Sequence, residues 1–202
     1  MKYINKVLSI EKVKLHDIAR KFGTPVYCYS YKQLKKNITT FKKNFKSFSP
    51  LICFAIKSNT NVSLIREIGK FGLGADVVSI GELMTALKAG INPKKIVFSG
   101  VGKTAVEINY AIDSKILLIN AESKSEIIEI EKIAKAKKRC VNIGIRLNPN
   151  TDAKTLSQIS TGKKENKFGV DEKTFFELIS FVKESKNINL KCLSVHIGSQ
   201  IL

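Results

Sequence analysis

The chain has 202 residues, 44% of them hydrophobic, enough apolar material for one substantial core. It carries 35 Lys and Arg against 17 Asp and Glu, a net charge of +18. No stretch approaches the roughly 20 apolar residues that cross a bilayer, and Met1 to Lys6 lacks the apolar region of a secretion signal, so a cytoplasmic protein without a membrane partner is expected.

The positive charge is scattered, as in Lys35-Lys36, Lys42-Lys43, Lys94-Lys95 and Lys135 to Arg139. No RNA- or DNA-binding motif accompanies it, which favours a lysine-rich surface over a nucleic-acid partner. Cys28, Cys53, Cys140 and Cys192 form no C-x-x-C pair and lie in or beside apolar runs, so they read as buried free thiols. His16 and His196 have no metal-ligand spacing, and no metal is expected.

In chain order, Lys14 to Phe22 reads as a helix closed by Gly23, and Pro25 to Tyr29 as a strand. Lys32 to Phe45 is a basic amphipathic helix. Ile52 to Asn59 is a short buried strand that ends in a polar turn. A repeating unit follows. Asn61 to Phe71 is a helix before Gly72, and Ala75 to Val78 a strand. Ser79-x-x-Glu82 has capping-box spacing and opens a helix to Ala89. Ile96 to Ser99 is a strand, Thr104-x-x-Glu107 opens a helix to Ile112, and Ile116 to Ile119 is a strand. Ser123-x-x-Glu126 opens a helix to Lys138, and Val141 to Leu147 is a strand. After a polar excursion over Asn148 to Asn166, a helix runs from Asp171 to Lys186, and Leu190 to Ile197 is the last strand.

Such repeats require parallel strands with right-handed crossovers, in a doubly wound sheet or a (β/α)₈ barrel. Strand alternation decides between them. It groups Cys53, Ala55 and Lys57 on one face, and likewise Gly74 with Asp76, Gly144 with Arg146 and Asn148, and Ser194 with His196 and Gly198. Each group is small first and polar near the carboxyl end, where a barrel builds its active site. The fold expected is α/β, a partial barrel with about six of its eight strands. A lysine among core-like residues is expected to be held out of water, which depresses its pKa and makes it an imine-forming nucleophile. Asp76, Arg146 and His196 each have a plainer reading as satisfied core residues, but converging from separate strands they form a constellation.

Two glycine-rich stretches do not support nucleotide binding. Gly72-Leu73-Gly74 precedes a strand and lacks the third glycine of the dinucleotide fingerprint. Gly102-Lys103-Thr104 ends like a P-loop, but the first glycine of that pattern falls at Val97.

The order Gly-Thr-Pro-Val-Tyr (23–27), Cys-Phe-Ala-Ile-Lys-Ser-Asn (53–59), Gly-Leu-Gly-Ala-Asp-Val-Val-Ser (72–79), Phe-Ser-Gly-Val-Gly-Lys-Thr (98–104), Ile-Ser-Thr-Gly-Lys-Lys-Glu-Asn-Lys-Phe-Gly (159–169) and His-Ile-Gly-Ser-Gln (196–200) resembles the diaminopimelate decarboxylase family, among the alanine-racemase-like enzymes of pyridoxal 5'-phosphate (PLP). The resemblance runs from about residue 10 to the last residue. It departs at Thr155-Leu156-Ser157-Gln158, where the family often has His-Pro-Tyr after the threonine.

The resemblance implies PLP as cofactor, held by Lys57 as an imine. Asp76 would position Lys57, His196 would stack on the pyridine ring, Ser199 would meet the phosphate and Arg146 would lie beside the cofactor. Lys57, Asp76 and His196 are the catalytic candidates. The implied reaction converts meso-2,6-diaminopimelate to L-lysine and CO2 in a homodimer acting on a small amino acid. Decarboxylation of ornithine, arginine or carboxynorspermidine on the same barrel is the alternative, as is a non-catalytic PLP-binding barrel. The family continues for a comparable length, with further strands, phosphate-binding glycines, a glutamate for the pyridine nitrogen and a β-domain. Residues 1–30 are therefore expected to pack with that β-domain, residues 31–202 to form an incomplete barrel, and the 202 residues alone to be inactive.

Overall fold

A computed structural model describes residues 1–151 and 168–199. Most of the Ile-Ser-Thr-Gly segment, the departure at Thr155 to Gln158, and Gln200 lie outside the described residues. The chain divides into two compact units, Met1–Pro50 and Leu51–Leu202.

In the first unit, β1 (Lys2–Ile4), β2 (Val7–Ile10) and β3 (Val13–Lys14) form an antiparallel sheet in that order. The sequence reading missed it. Its first turn has φ 48° at Asn5 and 62° at Lys6, the left-handed pair a two-residue hairpin requires, but with lysine where glycine would have given the signal. Helix α1 (Leu15–Phe22) ends at Gly23, whose φ of 78° lets its N–H reach the Ala19 carbonyl. Helix α2 (Tyr31–Asn44) is capped by Ser30, whose Oγ accepts from the Gln33 N–H at 3.1 Å. The strand expected over Pro25 to Tyr29 does not form. The run pairs with no strand among the described residues, and β-branched and aromatic content alone makes no ladder.

The second unit is a six-stranded sheet in the order β4 (Cys53–Ala55), β5 (Gly74–Val77), β6 (Ile96–Phe98), β7 (Leu118–Ala121), β8 (Val141–Leu147) and β9 (Ile188–Val195). Every neighbouring pair is parallel. The crossovers are α3 (Val62–Lys70), α4 (Ile80–Lys88), α5 (Ala105–Asp113), α6 (Lys124–Ala136) and α7 (Glu172–Glu184). The core lies between sheet and helices, with Ile56, Val77, Phe98, Ile119, Ile143 and Ile145 packed against Ile65, Leu83, Ile108, Ile127 and Leu178. No described helix is long and apolar enough to cross a membrane.

All three predicted caps are present, at Ser79, Thr104 and Ser123. Only Thr104 and Glu107 close a reciprocal box. Glu82 instead accepts from the Val78 N–H at 3.0 Å, and Glu126 from the Glu122 N–H at 3.0 Å, one residue ahead of the cap. The four cysteines are free, but Cys140 is exposed and the others only partly buried. Cys140 precedes β8 rather than lying in it, so the sheet does not cover it.

Two departures shape the functional end. Strand β4 stops at Ala55, and Ile56–Ser58 turn into a 3₁₀ helix, with the Ser58 hydroxyl donating to the Ala55 carbonyl at 2.7 Å. In the last pairing, Ile143 faces Leu190 while Gly144 faces Cys192, which leaves Lys191 as an extra residue in β9. This bulge shifts the alternation by one, so that Leu190 and Leu193 share a face and Ser194 pairs with Arg146 on the other. Leu193 and Val195, expected under helices, are exposed, whereas Ile188 at the start of the strand is buried.

Candidate active site

A cavity of about 900 Å³ opens at the carboxyl ends of the strands. Lys57, Asp76, Arg146, His196 and Ser199 all line it, so the tertiary fold brings together every residue singled out in the sequence. They come from four places: the turn after β4, β5, β8 and, for both His196 and Ser199, the segment after β9.

Lys57 departs from expectation. Its side chain is exposed rather than held in an apolar pocket. The 3₁₀ turn carries it beyond the strand, and β4 lies at the edge of the sheet, so among the described residues no strand covers it on that side. The groups that act on it across the cavity are polar, with Asp76 and His196 both within electrostatic reach.

Asp76 is largely buried, and its Oδ1 accepts a short hydrogen bond of 2.6 Å from the Ser99 hydroxyl. Burial pushes its pKa above the usual carboxylate value, opposed by the Ser99 bond and by Lys57, His196 and Lys103. Cys53 lies on the same face, and burial together with the Asp76 charge raises its thiol to about 11, so it stays protonated at neutral pH. His196 has a pKa below its ordinary value, first through burial and then through the Arg146 and Lys57 charges, partly offset by Asp76. A neutral imidazole is the form present at neutral pH.

Arg146 is ion-paired. Its Nη1 donates to both Glu122 carboxylate oxygens, at 3.0 and 3.2 Å, and its Nη2 to the His196 carbonyl at 3.3 Å. The guanidinium lies 4.8 Å from the centre of the Phe168 ring. On the cavity floor, the Asn120 amide donates to Ser99 Oγ at 3.2 Å, while its buried Oδ1 has no hydrogen-bond partner among the described residues.

Glu122, Asn120 and Ser99 line the same cavity and were not singled out in the sequence. The predicted strand ended at Ile119, whereas β7 runs two residues further, to Ala121, which places Asn120 inside the strand and Glu122 at its end. The signal available was the polar Asn-Ala-Glu after the apolar run, the same small-then-polar pattern read in the other strands.

Lys103, the lysine of the P-loop-like stretch, is no phosphate ligand. Its amine is 1% exposed and donates to the Gly100 and Asn120 carbonyls and to Glu126, at 2.6, 2.7 and 2.7 Å. All three of its protons are committed.

An amine, a carboxylate and a neutral imidazole around one cavity above a parallel α/β sheet are the equipment of an enzyme of amine or carbonyl chemistry. Comparison with known proteins narrows the class: the chain belongs to the pyridoxal-dependent decarboxylases, whose pyridoxal binding domain matches residues 31–202. The chain is similar to the diaminopimelate decarboxylase of Helicobacter pylori strain J99, 47% identical over 186 residues that make up 92% of this chain and 46% of that protein. It is 42% identical to that of Aquifex aeolicus over 100% of this chain and 48% of the other. The crystal structure of the H. pylori enzyme complexed with L-lysine superposes with a TM-score of 0.91 at 45% identity, covering 94% of this chain and 48% of that one. The M. jannaschii enzyme in co-complex with L-lysine gives 0.91 at 37% identity, covering 98% and 48%. The chain thus spans about half the length of the relatives it matches.

Proposed function

We propose that the full protein, of which these 202 residues carry the cofactor-binding barrel, decarboxylates meso-2,6-diaminopimelate to L-lysine. In that reaction one carbon–carbon bond breaks, CO2 leaves, and a proton takes its place on the same carbon. The observation that carries the reading is the convergence of Lys57, Asp76 and His196 on one cavity of a size that suits a small ligand. The similarity to diaminopimelate decarboxylases over at least nine-tenths of this chain supports the substrate.

The residues fit PLP. The cavity offers an accessible amine for its aldehyde, an imidazole for a flat ring, the Ser199 hydroxyl for its phosphate, and a buried acceptor in Asn120 Oδ1 for a donor on the occupant. When bound, PLP would supply the electron sink for the pair left on the carbon as CO2 departs. The chain's own residues do the rest. Lys57 would hold the cofactor through its exposed amine at the cavity mouth. Asp76, fixed by Ser99, keeps a carboxyl group beside that amine. His196, kept neutral, presents an imidazole face without adding positive charge. By the same resemblance the full protein is a cytoplasmic homodimer, with residues 1–30 packed against a β-domain.

The test is direct. The full protein with PLP, offered meso-diaminopimelate, ornithine, arginine and carboxynorspermidine separately, should release CO2 and L-lysine from the first. Release from another substrate alone refutes the substrate. Borohydride reduction of the PLP-loaded protein followed by peptide mapping should label Lys57, and a label on another lysine refutes the site.

A further inference from the structure

Arg146 would ordinarily be read as a cation awaiting an anionic ligand. Its surroundings give it a different task. Glu122 is 2% exposed at its side chain and Arg146 10%, so the pair is all but removed from water. Glu122 Oε1 also accepts from the Gly100 N–H at 3.1 Å, and Oε2 from the Gly169 N–H at 3.3 Å. One carboxylate therefore joins the turn after β6, the end of β7, the end of β8 and the segment before α7. Its own backbone is fixed in turn: the Glu122 N–H donates to Glu126, and Glu126 is held by the buried Lys103. The two glycines it meets have φ of 94° and 70°, conformations that aim their N–H groups inward and that side chains disfavour. At Gly169 a Cβ would also lie 2.7 Å from the Arg146 carbonyl.

We propose that Glu122 is a positioning residue of this site: it neutralises and orients Arg146, whose second nitrogen holds the backbone of His196, so that the pair places the histidine over the cavity. A buried guanidinium with its counter-charge removed would be both mobile and strongly repulsive to an imidazolium. The pair thus sets the charge as well as the place of His196, which Lys57 faces from the turn after β4, Asp76 from β5 and Arg146 from β8. The value of a fixed His196 rests on the function proposed above; the geometry of the pair does not.

The test uses the full protein and follows the His196 imidazole by NMR across pH before PLP is added, its signal assigned by loss in H196Q. Glu122→Gln should lower the His196 pKa by about half a unit or more, because Arg146 is then uncompensated, and Arg146→Gln should raise it. The double variant should fall between the two. No movement, or movement in the same direction in both single variants, overturns the proposal. The same variants are then titrated with PLP. The loss of affinity in the double variant should be smaller than the product of the two single losses, since the residues act as a unit; a simple product overturns it. If E122Q does not fold, Arg146→Gln decides alone, and a His196 pKa that fails to rise is the refuting result. A protein that binds no PLP would sink the proposed function, while the NMR shifts, measured without cofactor, still decide on Glu122.

Discussion

Gly144 in β8 packs directly against the cavity floor. A Cβ added there would lie 2.1 Å from Asn120 Oδ1 and 3.1 Å from Cys192 Cβ. An ordinary carbon–oxygen approach is about 3.3 Å, so Gly144→Ala must displace the amide by about 1.2 Å. That movement breaks the 3.2 Å bond from Asn120 to Ser99 and loosens the seryl hydroxyl that holds Asp76. Overpacking costs about 1–3 kcal/mol, the lost hydrogen bond about 1, and alanine returns about 0.5 through chain entropy, a net loss of about 1.5–3.5 kcal/mol. With a urea slope of about 2 kcal/mol/M, the unfolding midpoint should fall by about 0.8–1.8 M. Because the obstacle is one side chain, Asn120→Ala in the G144A background should recover part of the loss. Gly74→Ala is the contrast: its Cβ would meet the Lys95 carbonyl at 2.1 Å, which is backbone, so truncating the nearby Cys53 should not rescue it. A G144A midpoint within about 0.2 M of the parent, or no recovery in the double variant, would refute the reasoning.

Three further outcomes are expected. His196 has a native pKa below 6.5, so the unfolded chain binds more protons between the two values and stability falls as pH drops through that window; urea midpoints from pH 8 to 5 should decline less steeply in H196Q. Lys103→Met leaves Glu126 buried without its cation and should cost about 3–5 kcal/mol in urea unfolding, with much of it restored when Glu126 is also made apolar. Thr104→Ala removes one half of the α5 capping box and should cost about 1 kcal/mol by thermal or urea melts, whereas Glu107→Ala should cost more, because Glu107 also accepts from the Ile80 N–H at the start of α4.

Some of the site was legible because it obeys local rules. Alternation along Gly74-Ala75-Asp76 or Gly144-Ile145-Arg146 places the polar residue on the face of the small one, and no distant contact is needed to see it. The cap residues Ser79, Thr104 and Ser123 marked the start of each helix for the same reason, since the bond they make closes within three residues. His196 was assigned to the right face because it was grouped with Ser194 and Gly198 at the carboxyl end of the strand; alternation counted from Ile188 or Leu190 across Lys191 would have turned it outward. Lys57 lay beyond such rules, because a strand that ends one turn early leaves the parity of its last residue to the geometry of the turn.

From Cys53 onward the sequence by itself determined the order of strands and helices, the caps at Ser79, Thr104 and Ser123, and which residues stand at the carboxyl ends of most strands, all consequences of spacings shorter than one turn or one pleat. The tertiary structure alone decided what those residues do to one another. Glu122 meets Arg146 across 24 positions of sequence and Gly169 across 47, and Arg146 reaches His196 across 50. Whether a charge is buried, paired or left facing water depends on which strands become neighbours, and no local pattern carries that information.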